Sequence, residues 1–258
     1  MNHYKNHIRA LFIRSIELRH SLSHIKSVLL KSIETFDKTK IPEFIHGSAL
    51  VITDWTGPTD NGWDLVNHTG IRKATYKDTY VQEVGNMISQ ECCYAYAQSF
   101  EALETFLKDC IYEKIKMDKE FCQKLKITDS TNFKRENVPG GNILFQWIKK
   151  GCNPIFNKYS SNNNKDLNFK VLWSVLQETR HAITHSNSEI KITKLKKSEN
   201  HYTIFKYLFD YSEINSEKIK IVLDYHQLSI ILDRVSEFGY QVFKMLCINE
   251  KLDWKILK

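Results

Sequence analysis

Arg180, His181 and His185 stand within the run Glu178-Thr179-Arg180-His181-Ala182-Ile183-Thr184-His185, and side chains of these types suit chemistry on a phosphate. An imidazole titrating near neutrality can take or give a proton, and a guanidinium can hold and neutralise a phosphoryl group. On a helix advancing about 100° per residue, His181 and His185 share the outward face one turn apart, while Arg180 flanks the core stripe, roughly 140° from His185. Arg180 and His185 therefore do not meet within one straight helix. Two routes bring such groups together: irregular geometry where Ser186-Asn187-Ser188 breaks the pattern, or a second copy of the helix across a two-fold axis, gathering two of each in one groove. Two other readings stay open. Cations at a helix end gain ~0.3–1 kcal/mol from its dipole without further purpose, and histidines four residues apart match the spacing of zinc helices. No Glu follows His181, however, and no third ligand is evident in the sequence.

These residues need a scaffold, and its periodicity is mostly helical. From 5 to 36, Ile8, Leu11, Phe12, Ser15, Leu18, Leu22, Ile25, Leu29, Ile33 and Phe36 recur at steps of three and four, which predicts a long first helix. Ser48-Ala49-Leu50-Val51-Ile52-Thr53 is a β-type run, and Gly57-Pro58 and Asn61-Gly62 signal turns, so a hairpin or irregular excursion is expected, with Trp55 and Trp63 covering the core edge. A second long helix is expected over 80–116, with Cys93, Tyr96, Phe100, Leu103, Leu107, Cys110 and Ile111 on one face. Glu104 falls inside that stripe, where a carboxylate must either reach solvent or pair with a cation. Short helices over 119–125 and 142–150 flank a Pro139-Gly140-Gly141 turn, and 160–165 reads as a surface loop. The motif helix follows over 167–185. The period then changes to two: 190–193, 202–207 and 218–223 read as a small meander. Asp224 caps a final helix, with Gln227 expected to reach back in a capping box.

The expected architecture is mainly α, an up-down four-helix bundle with small β-hairpin and meander inserts. It is read as one domain over 1–258: first helix 1–40, irregular or β excursion 41–79, bundle helices with the motif 80–189, meander 190–223 and final helix 224–249. The 42% hydrophobic content supports a sizeable core, and four prolines with no Gly/Ser linker argue against a second domain. A formal charge of +7 favours an acidic partner such as nucleic acid. The run Lys191-Ile192-Thr193-Lys194-Leu195-Lys196-Lys197 could track an RNA backbone through Lys191, Lys194, Lys196 and Lys197, or equally be an exposed strand guarded by its lysines. Six scattered cysteines without a C-x-x-C pair read as reduced, buried thiols. With no apolar stretch near the roughly 18 residues of a membrane span and no signal-like N-terminus, a cytoplasmic location without membrane attachment is expected.

The stretch Glu178-Thr179-Arg180-His181-Ala182-Ile183-Thr184-His185-Ser186-Asn187 resembles the signature of the HEPN superfamily: an Arg, a polar residue, three further residues and a His, late in a helical bundle. Phe100-Glu101-Ala102-Leu103-Glu104-Thr105-Phe106-Leu107-Lys108 is similar to the helix packing beside the motif helix in that superfamily. The β segment followed by Leu223-Asp224-Tyr225-His226-Gln227-Leu228 matches the way many members end, so the resemblance covers roughly 80–249. It implies a homodimeric, metal-independent endoribonuclease that needs no cofactor and leaves a 2′,3′-cyclic phosphate. Arg180 and His185 would be the catalytic pair and His181 the orienting polar residue, and a carboxylate from the neighbouring helix would support the Arg, Glu104 first and Glu101 second. It also implies a toxin or antiviral-defence role, with an antitoxin or defence-system partner. Members regulated by nucleotidyl transfer carry a Tyr two residues after the motif His; this chain has Asn187 there, so that regulation is not implied. Two further readings remain: a catalytically silent nucleic-acid or nucleotide-binding module, and a dimerising scaffold.

Overall fold

A computed structural model describes residues 2–38, 44–53 and 66–255. Trp55, Trp63 and the turns expected at 57–58 and 61–62 lie outside the described residues. In chain order the elements are α1 (Lys5–Lys38), β1 (Phe44–Thr53), β2 (Val66–Tyr76), α2 (Tyr80–Met117), α3 (Lys119–Leu125), α4 (Gly141–Cys152), α5 (Ile155–Ser161), α6 (Phe169–His185), β3 (Glu189–Lys191), α7 (Ile192–Leu195), α8 (Glu199–Leu208), β4 (Asp210–Glu213), β5 (Lys218–Val222) and α9 (Tyr225–Asn249). The protein is mainly helical, and the described residues include two small antiparallel sheets, β1-β2 and β3-β5-β4. No helix among the described residues is long and apolar enough to cross a membrane.

Contacts divide the chain into two compact units, one of residues 25–88 and one of residues 1–24 with 89–258. In the smaller unit, β1 and β2 form a hairpin with register shifts between Phe44 and His46 and between Ala49 and Val51. The ring of Phe36 meets that of Tyr80 edge-on at 4.8 Å, and the hydroxyls of Ser32 and Tyr80 lie 2.7 Å apart. Few elements share this unit, so Ile25, Leu50, Ile52 and Ile71 stay exposed; the apolar stripe expected along the whole first helix is buried only as far as Leu22.

The larger unit is held by an aromatic and aliphatic core. Trp173 on α6 packs against Phe100 of α2 (5.2 Å), Phe145 of α4 (5.9 Å) and Phe238 of α9 (6.2 Å). Each of these side chains is buried, and full burial of a large apolar side chain contributes about 1.5–3 kcal/mol. At the opposite margin Lys114 is 5% exposed. Its ammonium donates to Asp118 (2.9 Å) and Glu250 (3.0 Å), and Glu250 also accepts from the Tyr4 hydroxyl (2.7 Å), fastening the chain start and the ends of α2 and α9 together. Burial opposes the charge on Lys114, but the two carboxylates outweigh it and raise its pKa. None of the six cysteines forms a disulfide and all are buried; burial pushes the Cys93 thiol up to about 11.

The structure overturns three sequence expectations. Residues 202–207 are not a strand but part of α8. Ser198 caps that helix by accepting from the N–H of His201 (3.1 Å), and His201, Ile204, Phe205 and Leu208 are buried at a helical spacing. The alternation at 202–207 is a coincidence within a helical stripe, and the Ser198 cap is the signal in the sequence that points to the helix instead. The strand expected over 190–193 ends at Lys191 and turns into α7. At α9, Asp224 caps through the N–H of Gln227 (2.6 Å), yet the Gln227 side chain donates to the carbonyl of Tyr207 (3.0 Å) rather than closing a capping box.

Two stability outcomes follow. A Cβ on Gly239 of α9 would stand 2.5 Å from Leu11 and 3.4 Å from Leu103, both buried. Overpacking of this kind costs about 1–3 kcal/mol against a helix-propensity gain of about 0.5–1 kcal/mol. Gly239→Ala should therefore lower the urea unfolding midpoint at unchanged m-value; a higher midpoint would contradict the packing. Burial penalises the Asp118 carboxylate most strongly of any single influence, but the Phe121 N–H and the Lys114 ammonium together hold its pKa below the ordinary 3.8. A depressed folded pKa gives stability that is complete above the ordinary value and drains away as pH falls through the folded one. Asp118→Asn keeps a capping oxygen and loses only the charge. In thermal melts its deficit at pH 7, under about 1 kcal/mol for a carboxylate 35% exposed, should close as pH falls below 3.8; a deficit constant with pH would sink the assignment.

Candidate functional site

The orientation of the motif follows from how α6 is buried. Leu172, Trp173, Val175, Leu176, Thr179, Ala182 and Ile183 face inward. The buried Tyr96 of α2 donates its hydroxyl to the carbonyl of Leu176 and lies 2.8 Å from the Thr179 hydroxyl. Burial pushes the Tyr96 phenol far above its ordinary range, so it serves as a neutral donor. With these positions inward, the 100° step turns His181, Thr184 and His185 outward and leaves Arg180 on the flank.

Arg180 pairs there with Glu101 of α2. Its Nε is shielded from solvent and has no hydrogen-bond partner among the described residues, so guanidinium donors remain unused. Glu104, the first candidate for this pairing, is engaged elsewhere: it accepts from the backbone N–H of Gly141 (3.2 Å) and faces Lys108 (3.4 Å). Gly141 sits at φ 59°, and a Cβ on Gly140 would collide with the Glu104 carboxylate, which explains the paired glycines. Glu104 therefore secures the entry to α4, and Glu101 is the carboxylate that meets the arginine.

The rings of His181 and His185 lie 4.7 Å apart on the exposed face. Helix α6 stops directly after His185. Asn187 and Ser188 take left-handed backbone angles (φ 51° and 65°), and the N–H groups of Ser186 and Ser188 both donate to the carbonyl of Ala182 at 3.0 Å. This short turn sends the chain straight into β3, which pairs antiparallel with β5 in the register Glu189↔Lys220, Ile190↔Ile219, Lys191↔Lys218.

A cleft of about 570 Å³ lies in the angle between α6 and this sheet, and Arg180, His181, Lys191, Lys194 and Lys218 line it together with Glu178 and Glu189. Lys191 and Lys218 are directly opposed across the strands, an unfavourable pairing of like charges eased by Glu189, which lies 3.4 Å from Lys218. Glu178 is occupied by the Ser174 hydroxyl (3.0 Å) and by Lys197, and lies 3.6 Å from Nε2 of His201. The four basic residues expected to track RNA thus separate. Lys191 and Lys194 face the cleft, whereas Lys197 pairs with Glu178 and Lys196 lies over the ring of Tyr202 (5.3 Å). His185 is exposed one turn beyond His181 and does not line the cleft.

Lys218, Glu178 and Glu189 are site residues that sequence reasoning misses. The alternating run 218–223 is legible as a strand, but its pairing with 189–191 is non-local, and no pattern within either segment announces it. Among the described residues no cluster of three or more His, Cys, Asp or Glu is placed to hold a metal ion, so the His181/His185 pair has no third ligand of those types there. No protein-family model, no curated protein and no solved structure matches the chain.

The Arg180–Glu101 pair is half exposed on its carboxylate side, which limits its worth to about 0–1 kcal/mol. A double-mutant cycle with Glu101→Ala and Arg180→Ala in urea unfolding should return a coupling within that range. A coupling near 3 kcal/mol would mean that the pair is a structural anchor rather than a positioned, available guanidinium.

Proposed function

We propose that the chain is an endoribonuclease of HEPN type that acts on RNA without a metal, as a homodimer with a composite site from two copies of Arg180 and His185. The observation that carries this reading is the setting of Arg180: a guanidinium oriented by Glu101 on the wall of a cleft carrying Lys191, Lys194 and Lys218. Four cations there face two carboxylates, Glu178 and Glu189, a balance that favours a phosphate backbone. The up-down four-helix bundle expected from the helical pattern would consist of α1, α2, α6 and α9. In its support, Arg14 of α1 donates to Gln98 of α2, Arg19 of α1 pairs with Asp233 of α9, and α6 packs on both α2 and α9.

In this mechanism one His185 takes the proton of a ribose 2′-hydroxyl. The resulting oxyanion attacks phosphorus, and the bond to the 5′-oxygen breaks as the imidazolium of the other copy's His185 protonates the leaving oxygen. Arg180 neutralises the charge on the non-bridging oxygens, and His181 orients the phosphate. The products are a 2′,3′-cyclic phosphate and a 5′-hydroxyl. The exposure of His185 on the outward face suits a composite site, since the second copy must supply what a single straight helix keeps apart. A toxin or antiviral-defence role, a cytoplasmic location and an antitoxin or defence-system partner accompany this reading.

The position of His185 outside the cleft favours a second reading, a module that binds nucleic acid without cutting it. One assay separates them. With labelled single-stranded RNA in EDTA, the wild-type protein should yield fragments with cyclic-phosphate ends, and Arg180→Ala and His185→Ala should each reduce the rate by about 10²-fold or more. Binding without fragments supports the second reading; fragments produced equally by both variants rule out the proposed site. A protein that sediments as a monomer with and without RNA removes the composite site.

A further inference from the structure

A second cavity, of about 430 Å³, opens between α9 and the connection from α5 to α6, at the end of α6 opposite the Arg180–His185 turn. Small-molecule sites typically span roughly 300–1,000 Å³. Buried Leu167, Phe169, Leu172 and Phe238 form its apolar floor. One wall is a loop held in shape by Asn163. Its amide nitrogen donates to the carbonyls of Tyr159 (3.0 Å) and Leu167 (2.9 Å), and its oxygen accepts from the N–H groups of Lys165 (3.1 Å) and Leu167 (3.2 Å). Asn163 has thereby filled the hydrogen-bonding capacity of its side chain.

The other amides around the cavity are in the opposite condition. The side chains of Asn162, Asn164 and Gln241 make no hydrogen bond among the described residues. The cations differ in the same way. Arg234 is committed to the Tyr207 hydroxyl and to Glu237, whereas Lys165 and Lys244 have no carboxylate partner among the described residues. Lys244 is instead poised over aromatic rings, 4.4 Å from the centre of Trp254 and 5.8 Å from that of Tyr159. The cavity thus combines a preformed wall, unused amides beside an apolar floor, and two ammonium groups without a carboxylate partner at its rim.

We infer that this cavity binds an adenine nucleotide, free or as one unit of an RNA strand, with amides on the base edge and Lys165 and Lys244 on the phosphate. Asn and Gln side chains present a donor beside an acceptor, the complement of the N6/N7 edge of adenine. The ammonium groups supply the counter-charge for phosphate. The site shares no lining residue with the cleft beside Arg180 and does not depend on the nuclease reading.

Calorimetric titration with AMP tests it, with Trp254 emission, checked against Trp254→Phe, as a second readout next to Lys244. AMP should bind one site per chain, with adenosine and inorganic phosphate each weaker by roughly tenfold or more. The variants Lys165→Ala/Lys244→Ala and Gln241→Leu, matched to wild type by circular dichroism and melting temperature, should each weaken AMP by roughly tenfold. Arg180→Ala should leave AMP binding intact, so that this proposal and the nuclease reading can fail separately. A 2′-O-methyl hexa-adenylate, which lacks the ribose nucleophile, separates the sources: tighter binding than AMP assigns the RNA strand, and weaker or equal binding the free nucleotide. Absence of saturable binding by either probe at millimolar concentration, equal affinity for AMP and inorganic phosphate, or affinity unmoved in the variants overturns the inference.

Discussion

The azimuth of α6 is the constraint on which the candidate site depends. Trp173 is wedged among Phe100, Phe145 and Phe238, and one turn further on Tyr96 ties its hydroxyl to the helix at Leu176 and Thr179. Rotating α6 would expose this aromatic surface and strand the Tyr96 hydroxyl in a buried setting, where an unpaired polar group costs about 1–3 kcal/mol. A helix fixed in this way has no freedom left for its outer residues. Arg180 must lie on the side where α2 offers Glu101, and His181 and His185 must face outward.

The sheet that follows supplies charge where the helix supplies geometry. Opposing Lys191 to Lys218 across two strands is unfavourable in isolation, and Glu189 relieves it only in part. Glu178 has a separate role. By engaging Lys197 and approaching His201, it ties α6 to the segment carrying α7 and α8 and holds the floor of the cleft in place.

The long helices are legible in the sequence because each repeats apolar residues at steps of three and four for many turns, and the outward placement of His181 and His185 follows from the same arithmetic. Choosing between Glu101 and Glu104 lies beyond it. The two stand three residues apart on one side of α2, and which of them meets Arg180 depends on how α2 and α6 cross, a quantity no single helix encodes. Residues 202–207 mislead for a different reason: a six-residue window holds too few turns to separate a period of two from one of 3.6, and the burial of His201, Ile204, Phe205 and Leu208 becomes visible only over a longer stretch. The basic run 191–197 suggests one continuous track as long as it is seen only as a string of letters. The turn into α7 redirects its second half, sending Lys196 to an aromatic ring and Lys197 to a carboxylate.

The tight turn through Asn187 and Ser188 has an implication for how this protein can change over time. Because side chains along a strand alternate between two sides, adding or removing one residue between the helix end and Ile190 would exchange the faces taken by Lys191 and the buried Ile190. The spacing between the histidine pair and the first strand lysine is therefore a ruler of fixed length. Its residue count is tied to the hand and pleat of the strand it feeds, and the left-handed backbone at Asn187 and Ser188 narrows the side chains it accepts.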